Sequence, residues 1–320
     1  MTRTTIVHTH GGGRFGNQLL LFGHLISLAA THRDLEIVHV PFWPYSDLCD
    51  GTRDNPLCLF SADRTPYRWA QPLPSLTRAA ARLLPARVAR SVGYRLPRLC
   101  HRLAGRRSID LDYKPLVDIG APEFVERLRA SRWVLLSGYD LRAWDAFHAE
   151  HDRIRAFLRP ARRFWDAADR FLAPLRQRHD PLVGVHIRRT DYRVWHGGRF
   201  CFDDRQYAAW TAQMRKRWGA RTGFVLSADE TVDRAAYDPA YCHWSDGTAG
   251  GSGHFLDAMT TLAGCDVVAA APSTFAAWTA SFGARPLLVL GADVDAATEP
   301  LLHDVWRDGR RHALMSFAVW

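Results

Sequence analysis

The chain lacks most of the patterns that assign a protein at sight. Its 320 residues contain no Gly-Lys-Ser/Thr, which excludes a P-loop. No uninterrupted apolar run reaches the roughly 18 residues that a membrane-spanning helix needs. The six cysteines, Cys49, Cys58, Cys100, Cys201, Cys242 and Cys265, show no C-x-x-C spacing and no secretory leader precedes them. They read as free thiols in a reducing compartment and predict a cytoplasmic protein. Fifteen histidines invite a metal, yet there is no His-Glu-x-x-His and no clustered Cys/His spacing, so no metal is expected. Internal repeats and low-complexity tracts are absent as well. Most telling is a local absence of charge of one sign: from Arg64 to Arg107 there are eleven arginines and not one Asp or Glu.

What is present belongs to a folded protein. Apolar residues make up 47% and charged residues 23%, with 12 tryptophans, which argues against disorder. The length suits two domains. The formal charge of +9 fits nucleic acid, anionic lipid or a phosphorylated small molecule equally well. Its source is the 64–107 segment, since the rest is close to balanced. That segment predicts an Arg-rich insertion, helical over residues 76–103. Its arginines offer peripheral contact with an anionic membrane, a hold on a phosphorylated acceptor, or a solvated face over a helical core.

In chain order, Thr5–His8 predicts a strand, His10–Gln18 a glycine-rich turn, and Leu19–Ala30 a helix. Gly13 and Gly16 let the backbone turn tightly and approach a ligand, and the helix start adds unpaired N–H groups. Gly11-x-Gly13-x-x-Gly16 matches a dinucleotide fingerprint, but the next strand, Leu35–Val40, ends without the ribose-binding carboxylate. A strand at Trp133–Tyr139 closes the first domain, residues 1–155. The second, residues 156–320, alternates strands (182–187, 223–227, 266–270, 286–290) with helices (204–218, 255–263). This alternation predicts an α/β protein with parallel, doubly wound sheets.

Three successive strands of the second domain end in polar clusters: His186, Arg188, Arg189 and Asp191; Ser227, Asp229 and Glu230; Ser273 and Thr274. Ligands of open α/β sheets bind beyond these carboxyl ends. Guanidinium, hydroxyls, helix starts and a carboxylate together suit a nucleoside diphosphate. Residue alternation sends Arg188 and Arg189 to opposite faces, which leaves Arg189 to brace the loop.

These motifs together resemble the superfamily of GDP-fucose-dependent fucosyltransferases, nearest to the α-1,2 enzymes, with α-1,6- and protein O-fucosyltransferases as relatives. Gly13-Arg14-Phe15-Gly16-Asn17-Gln18 is similar to its amino-terminal loop. His186-Ile187-Arg188-Arg189-Thr190-Asp191 is similar to its His-x-Arg-Arg-Gly/Thr-Asp motif, Phe224–Glu230 to its second motif, and Ser273-Thr274-Phe275-Ala276-Ala277-Trp278 to its third. The resemblance implies a GT-B-like architecture, two Rossmann-like domains facing across a cleft, and an inverting, metal-independent transfer of fucose from GDP-fucose to a glycan hydroxyl. It needs no cofactor beyond the donor, and the acceptor could be lipid-linked. Carried over by position, Arg188 binds the β-phosphate with help from His186 and Ser273, while Thr274, Phe275 and Asp229 line the donor site. Asp257 falls where the family places a carboxylate on the guanine, and Arg14 and Asn17 reach the sugar end from the first domain. Asp191 and His196 are the candidate bases, and Asp191 has the alternative task of holding Arg188 or Arg14. Thr190 and Ala276 depart from the α-1,2 pattern, which leaves the linkage open. The alternatives are a transferase of another nucleotide sugar or another fucosyl linkage and, more remotely, a basic membrane- or nucleic-acid-binding module, although no nucleic-acid partner is expected.

Overall fold

The computed structural model of the chain describes residues 3–9, 13–55, 58–63, 107–111, 116–291 and 302–303. The Arg-rich segment before Arg107 and the helix expected over 76–103 lie outside the described residues. Contacts divide the chain into two units, Met1–Ala161 and Arg162–Trp320.

The first unit opens with β1 (Thr4–His8), α1 (Phe15–Thr31), β2 (Leu35–His39), β3 (Leu59–Phe60) and β4 (Arg107–Asp110). It continues with β5 (Val117–Asp118), α2 (Pro122–Arg129), β6 (Trp133–Ser137), β7 (Leu141–Arg142), α3 (Trp144–Ala149) and α4 (His151–Phe157). The main sheet runs β3-β2-β1-β6-β4, with β1 parallel to both β2 and β6. Strand order therefore reverses between β1 and β6, and α1 starts beside that reversal. Almost every residue of α1 is buried, as expected of a helix apolar all round. At the carboxyl ends of β1 and β2, the fully buried His8 and His39 face each other, Nδ1 to Nδ1 at 3.0 Å. His8 Nε2 donates to the Gly138 carbonyl (2.9 Å), so His8 Nδ1 accepts and His39 Nδ1 is the donor. Burial, then the His8 ring, holds His39 well below the ordinary histidine range. The two rings thus form a buried hydrogen-bonded pair at the strand ends of this sheet.

The second unit contains α5 (Arg162–Arg178), β8 (Leu182–Ile187), α6 (Asp204–Trp218), β9 (Gly223–Ala228), β10 (Cys242–Trp244), α7 (Phe255–Ala263), β11 (Val267–Ala270), α8 (Thr274–Gly283), β12 (Leu287–Val289) and β13 (Leu302–His303). Its sheet runs β10-β9-β8-β11-β12-β13, parallel except for β13. Here the order reverses between β8 and β11, and such a switch point opens a crevice beyond the strands' carboxyl ends.

All six residues of β8 are buried, and the two faces differ. Val183, Val185 and Ile187 pack with Tyr207, Trp210 and Met214 of α6. Leu182 joins Leu172, Leu175 and Leu262 on the opposite face. Between them Gly184 has a specific job: a Cβ there would lie 3.0 Å from Leu262 Cα and carbonyl oxygen. Its bare backbone lets α7 lie directly on the strand. Among the described residues, no helix is long and apolar enough to cross a membrane.

Candidate active site

The geometry at the end of β8 follows from its alternation. His186, in step with Leu182 and Gly184, lies on the α7–α8 side, and its ring stacks on Phe275 of α8 with centroids 4.5 Å apart. It is 4% exposed, and among the described residues its Nδ1 has no hydrogen-bond partner. Burial first, then the Arg188 charge, pushes its pKa down to about 4 against the opposing pull of Asp229. The ring is neutral near pH 7 and keeps one donor and one acceptor nitrogen.

Arg188 continues on the same side, at the switch point. Its guanidinium meets Asp229 (Nη1 to Oδ2, 2.7 Å) and Asp191 (Nη2 to Oδ1, 2.5 Å), and it sits 5.4 Å from the Tyr192 ring centroid. Asp229 is anchored by Thr190 Oγ1 (2.6 Å) and by the Arg189 amide (2.9 Å). Burial works to raise its carboxyl, but the Thr190 hydroxyl, the Arg188 charge and the Arg189 amide together hold it below the ordinary carboxylate range. Thr190 thereby does what a glycine in its place could not. Tyr192 donates its hydroxyl to the Pro272 carbonyl, which ties the turn after β8 to the loop before α8.

Arg189 points the other way, toward α6. Its Nη1 and Nη2 grip both oxygens of Asp204 (3.1 and 2.6 Å), and its Nε donates to the Phe202 carbonyl (2.8 Å). Asp204 also accepts from the Tyr237 hydroxyl (3.0 Å) and the Asp233 amide (3.1 Å). The expected bracing role of Arg189 is what the structure shows.

Ser273 caps α8, accepting the Ala276 amide at 3.1 Å, and both Ser273 and Thr274 are buried. Phe275 follows one residue later, so the helix start, the His186 ring and the Arg188 strand end form one local group. Asp257 has a structural duty at the start of α7. It accepts the His254 amide (2.6 Å), while His254 Nδ1 accepts the Leu256 amide (3.2 Å), which completes a capping box. His196 occupies an exposed turn with φ 47°, followed by Gly197 and Gly198 at φ 68° and 83°. Its ring lies against Trp195 and Phe200. Among the described residues it has no contact with Arg188 or its carboxylates.

The remaining expected residues lie in the first unit. Gly13 has φ 77°, a left-handed conformation, and a Cβ on it would fall 2.1 Å from Asn17 Nδ2. The Asn17 side chain therefore folds back over Gly13. Arg14, exposed, precedes the first turn of α1, where its carbonyl accepts the Asn17 and Gln18 amides (3.0 and 3.1 Å), and Gly16 is buried in that turn. Residues 10–12 lie outside the described residues.

Sequence reasoning missed several parts. The short strand β10 and the glycine-rich loop after it were not anticipated, although the loop's Thr248 accepts the Ala228 amide (2.9 Å) and so reaches the end of β9 next to Asp229. Asp204 and Tyr192 were missed too. Nothing in the sequence sets Asp204 apart, since it is simply the first residue of the helix expected over 204–218. Among the described residues, no group of three or more His, Cys, Asp or Glu could hold a metal ion.

An α/β sheet in each unit, largely parallel and with one reversal of strand order, defines a GT-B-like fold of two Rossmann-like domains. No family model and no curated protein matches the sequence. Solved structures do. The chain is similar to POFUT1 in complex with GDP, with a TM-score of 0.53 and 12% identity over 91% of this chain and 99% of that one. It is also similar to a mutant of Arabidopsis thaliana FUT1 in complex with GDP, with a TM-score of 0.51 and 10% identity over 92% of this chain and 72% of that one.

Proposed function

We propose that the chain is a glycosyltransferase that moves fucose from GDP-fucose to a hydroxyl of a glycan acceptor. The observation that carries this reading is Arg188, held just past the end of β8 by Asp229 and Asp191, while the His186 ring of the same strand stacks on Phe275 at the capped start of α8. The GDP complexes of POFUT1 and FUT1, which share the fold, support a GDP-sugar donor.

In this reading negative charge grows on the β-phosphate as the glycosidic C–O bond breaks, and Arg188 and the α8 amides receive it. Donors oriented in advance stabilise such charge better than water does. His186, neutral and buried, offers a nitrogen to a donor oxygen without adding a second cation. Asp257 or Asp229 takes the guanine or ribose, and the turn carrying Gly13, Arg14, Gly16 and Asn17 serves the sugar end. The transfer is inverting and independent of metal, the linkage α-1,2 by motif, with α-1,6 or O-fucosyl as alternatives. A lipid-linked acceptor fits a cytoplasmic enzyme whose Arg-rich 64–107 segment contacts anionic membrane.

The test is turnover. The protein is incubated with GDP-fucose and a panel of galactosides and other glycans in the presence of a chelator, and the product linkage is identified. Thermal stabilisation by GDP and not by UDP is expected. Stabilisation by UDP alone would sink the fucose reading and favour another nucleotide sugar.

A further inference from the structure

Arg188 is bracketed by carboxylates on both of its terminal nitrogens. One cation between two anions leaves a local excess of negative charge, and that excess repels a diphosphate. The guanidinium becomes an anion site only when one carboxylate leaves.

The two carboxylates are not equivalent. The Asp229 side chain is 11% exposed and held by the Thr190 hydroxyl and the Arg189 amide, so it cannot leave without stranding those donors. The Asp191 side chain is 54% exposed, and beyond Arg188 its contact is the Thr190 hydroxyl at 3.1 Å, which sits closer to Asp229. Water can take over its charge at little cost. Arg188 need not move in the exchange, because Asp229 and the Tyr192 ring keep hold of its other edge and face.

We propose that Asp191 is a displaceable counter-ion which occupies the phosphate seat on Arg188 and sets the site's selectivity for a diphosphate. This rests on reading Arg188 as a phosphate ligand. A ligand displaces Asp191 only if it brings more negative charge to Arg188 than a carboxylate does. A diphosphate meets that demand, whereas neutral groups and singly charged anions do not. Asp191 is then a specificity residue that works through competition and not through proton transfer.

The experiment measures binding of GDP, GMP and inorganic pyrophosphate by calorimetry to the full chain and to its Asp191→Asn and Asp191→Glu variants. Turnover of GDP-fucose is followed in parallel. Asp191→Asn should tighten GDP and pyrophosphate by about tenfold, the effect of one pKa-unit-sized charge term. It should tighten GMP at least as much, which narrows the preference for the diphosphate. Asp191→Glu, which keeps the competing charge, should stay near the parent. KM and kcat for the donor should fall together in Asp191→Asn, because product GDP leaves more slowly. Unchanged or weaker GDP and pyrophosphate binding would overturn the proposal, and a kcat loss of a hundredfold or more with unchanged binding would make Asp191 the base instead. If pyrophosphate tightens but GDP binds to none of the proteins, the GDP-sugar reading falls and the counter-ion role stands. If neither ligand binds any of them, both fall.

Discussion

Arg188 and Arg189 are neighbours in sequence with opposite tasks, and the pleat of β8 assigns them. Even-numbered side chains face α7 and α8, odd-numbered ones face α6, so one guanidinium reaches the switch point and the other locks onto Asp204. Replacing Arg188 by lysine keeps the charge but removes the planar fork. Turnover should drop by about 10²- to 10³-fold, the usual loss for one oriented donor at a developing oxyanion. Steady-state kinetics beside a melting curve would check this, and a variant as active as the parent would remove Arg188 from the reaction. The motif around these arginines was legible as residues, and so was their divergence. Their ion pairs were not, because Asp229 and Asp204 come from elsewhere in the chain and only the folded sheet brings them close.

Elements with a strong period and a clear stop were read well. α6 spans Asp204–Trp218, as expected from its spacing, with Asp203 capping one end and Gly219 following the other. α7 spans Phe255–Ala263, also as expected, although its cap is the less usual His254. β10 escaped notice because three residues, Cys242–Trp244, carry no measurable alternation. Gly184 illustrates what pattern reading misses: it counts as one more alternating residue in a strand, yet it fixes how closely α7 approaches. Gly184→Val should force α7 off β8 or strain both, at a cost of about 1–3 kcal/mol. Urea denaturation would show it, and an unshifted midpoint would mean that the helix can step aside freely.

Across the whole molecule, buried and half-buried histidines make stability depend on pH. His186 and His243 are each pushed down to about 4, chiefly by burial, and His39 is held well below the ordinary range. At His186 and His243 the unfolded chain binds protons near pH 6.5, whereas the folded chain resists until about pH 4. Stability is therefore full above about pH 6.5 and is lost as the pH falls toward 4, with His186 alone contributing on the order of 3 kcal/mol. Melting temperatures taken from pH 7 downward should decline through this window, and a flat profile would contradict the burial of these rings. The α/β class with largely parallel sheets was legible from the alternation of strands and helices. The duties of Asp257 and Tyr192 were not, since each depends on a contact made only after folding. Asp204 joins three separate stretches: the turn after β8, the start of α6 and the segment around Asp233 and Tyr237. Such a shared anchor makes them a single cooperative unit for opening. Backbone amides at residues 189–204 and 233–237 should then exchange with deuterium at a common rate, and Asp204→Ala should speed all of them while leaving β8 and β11 protected.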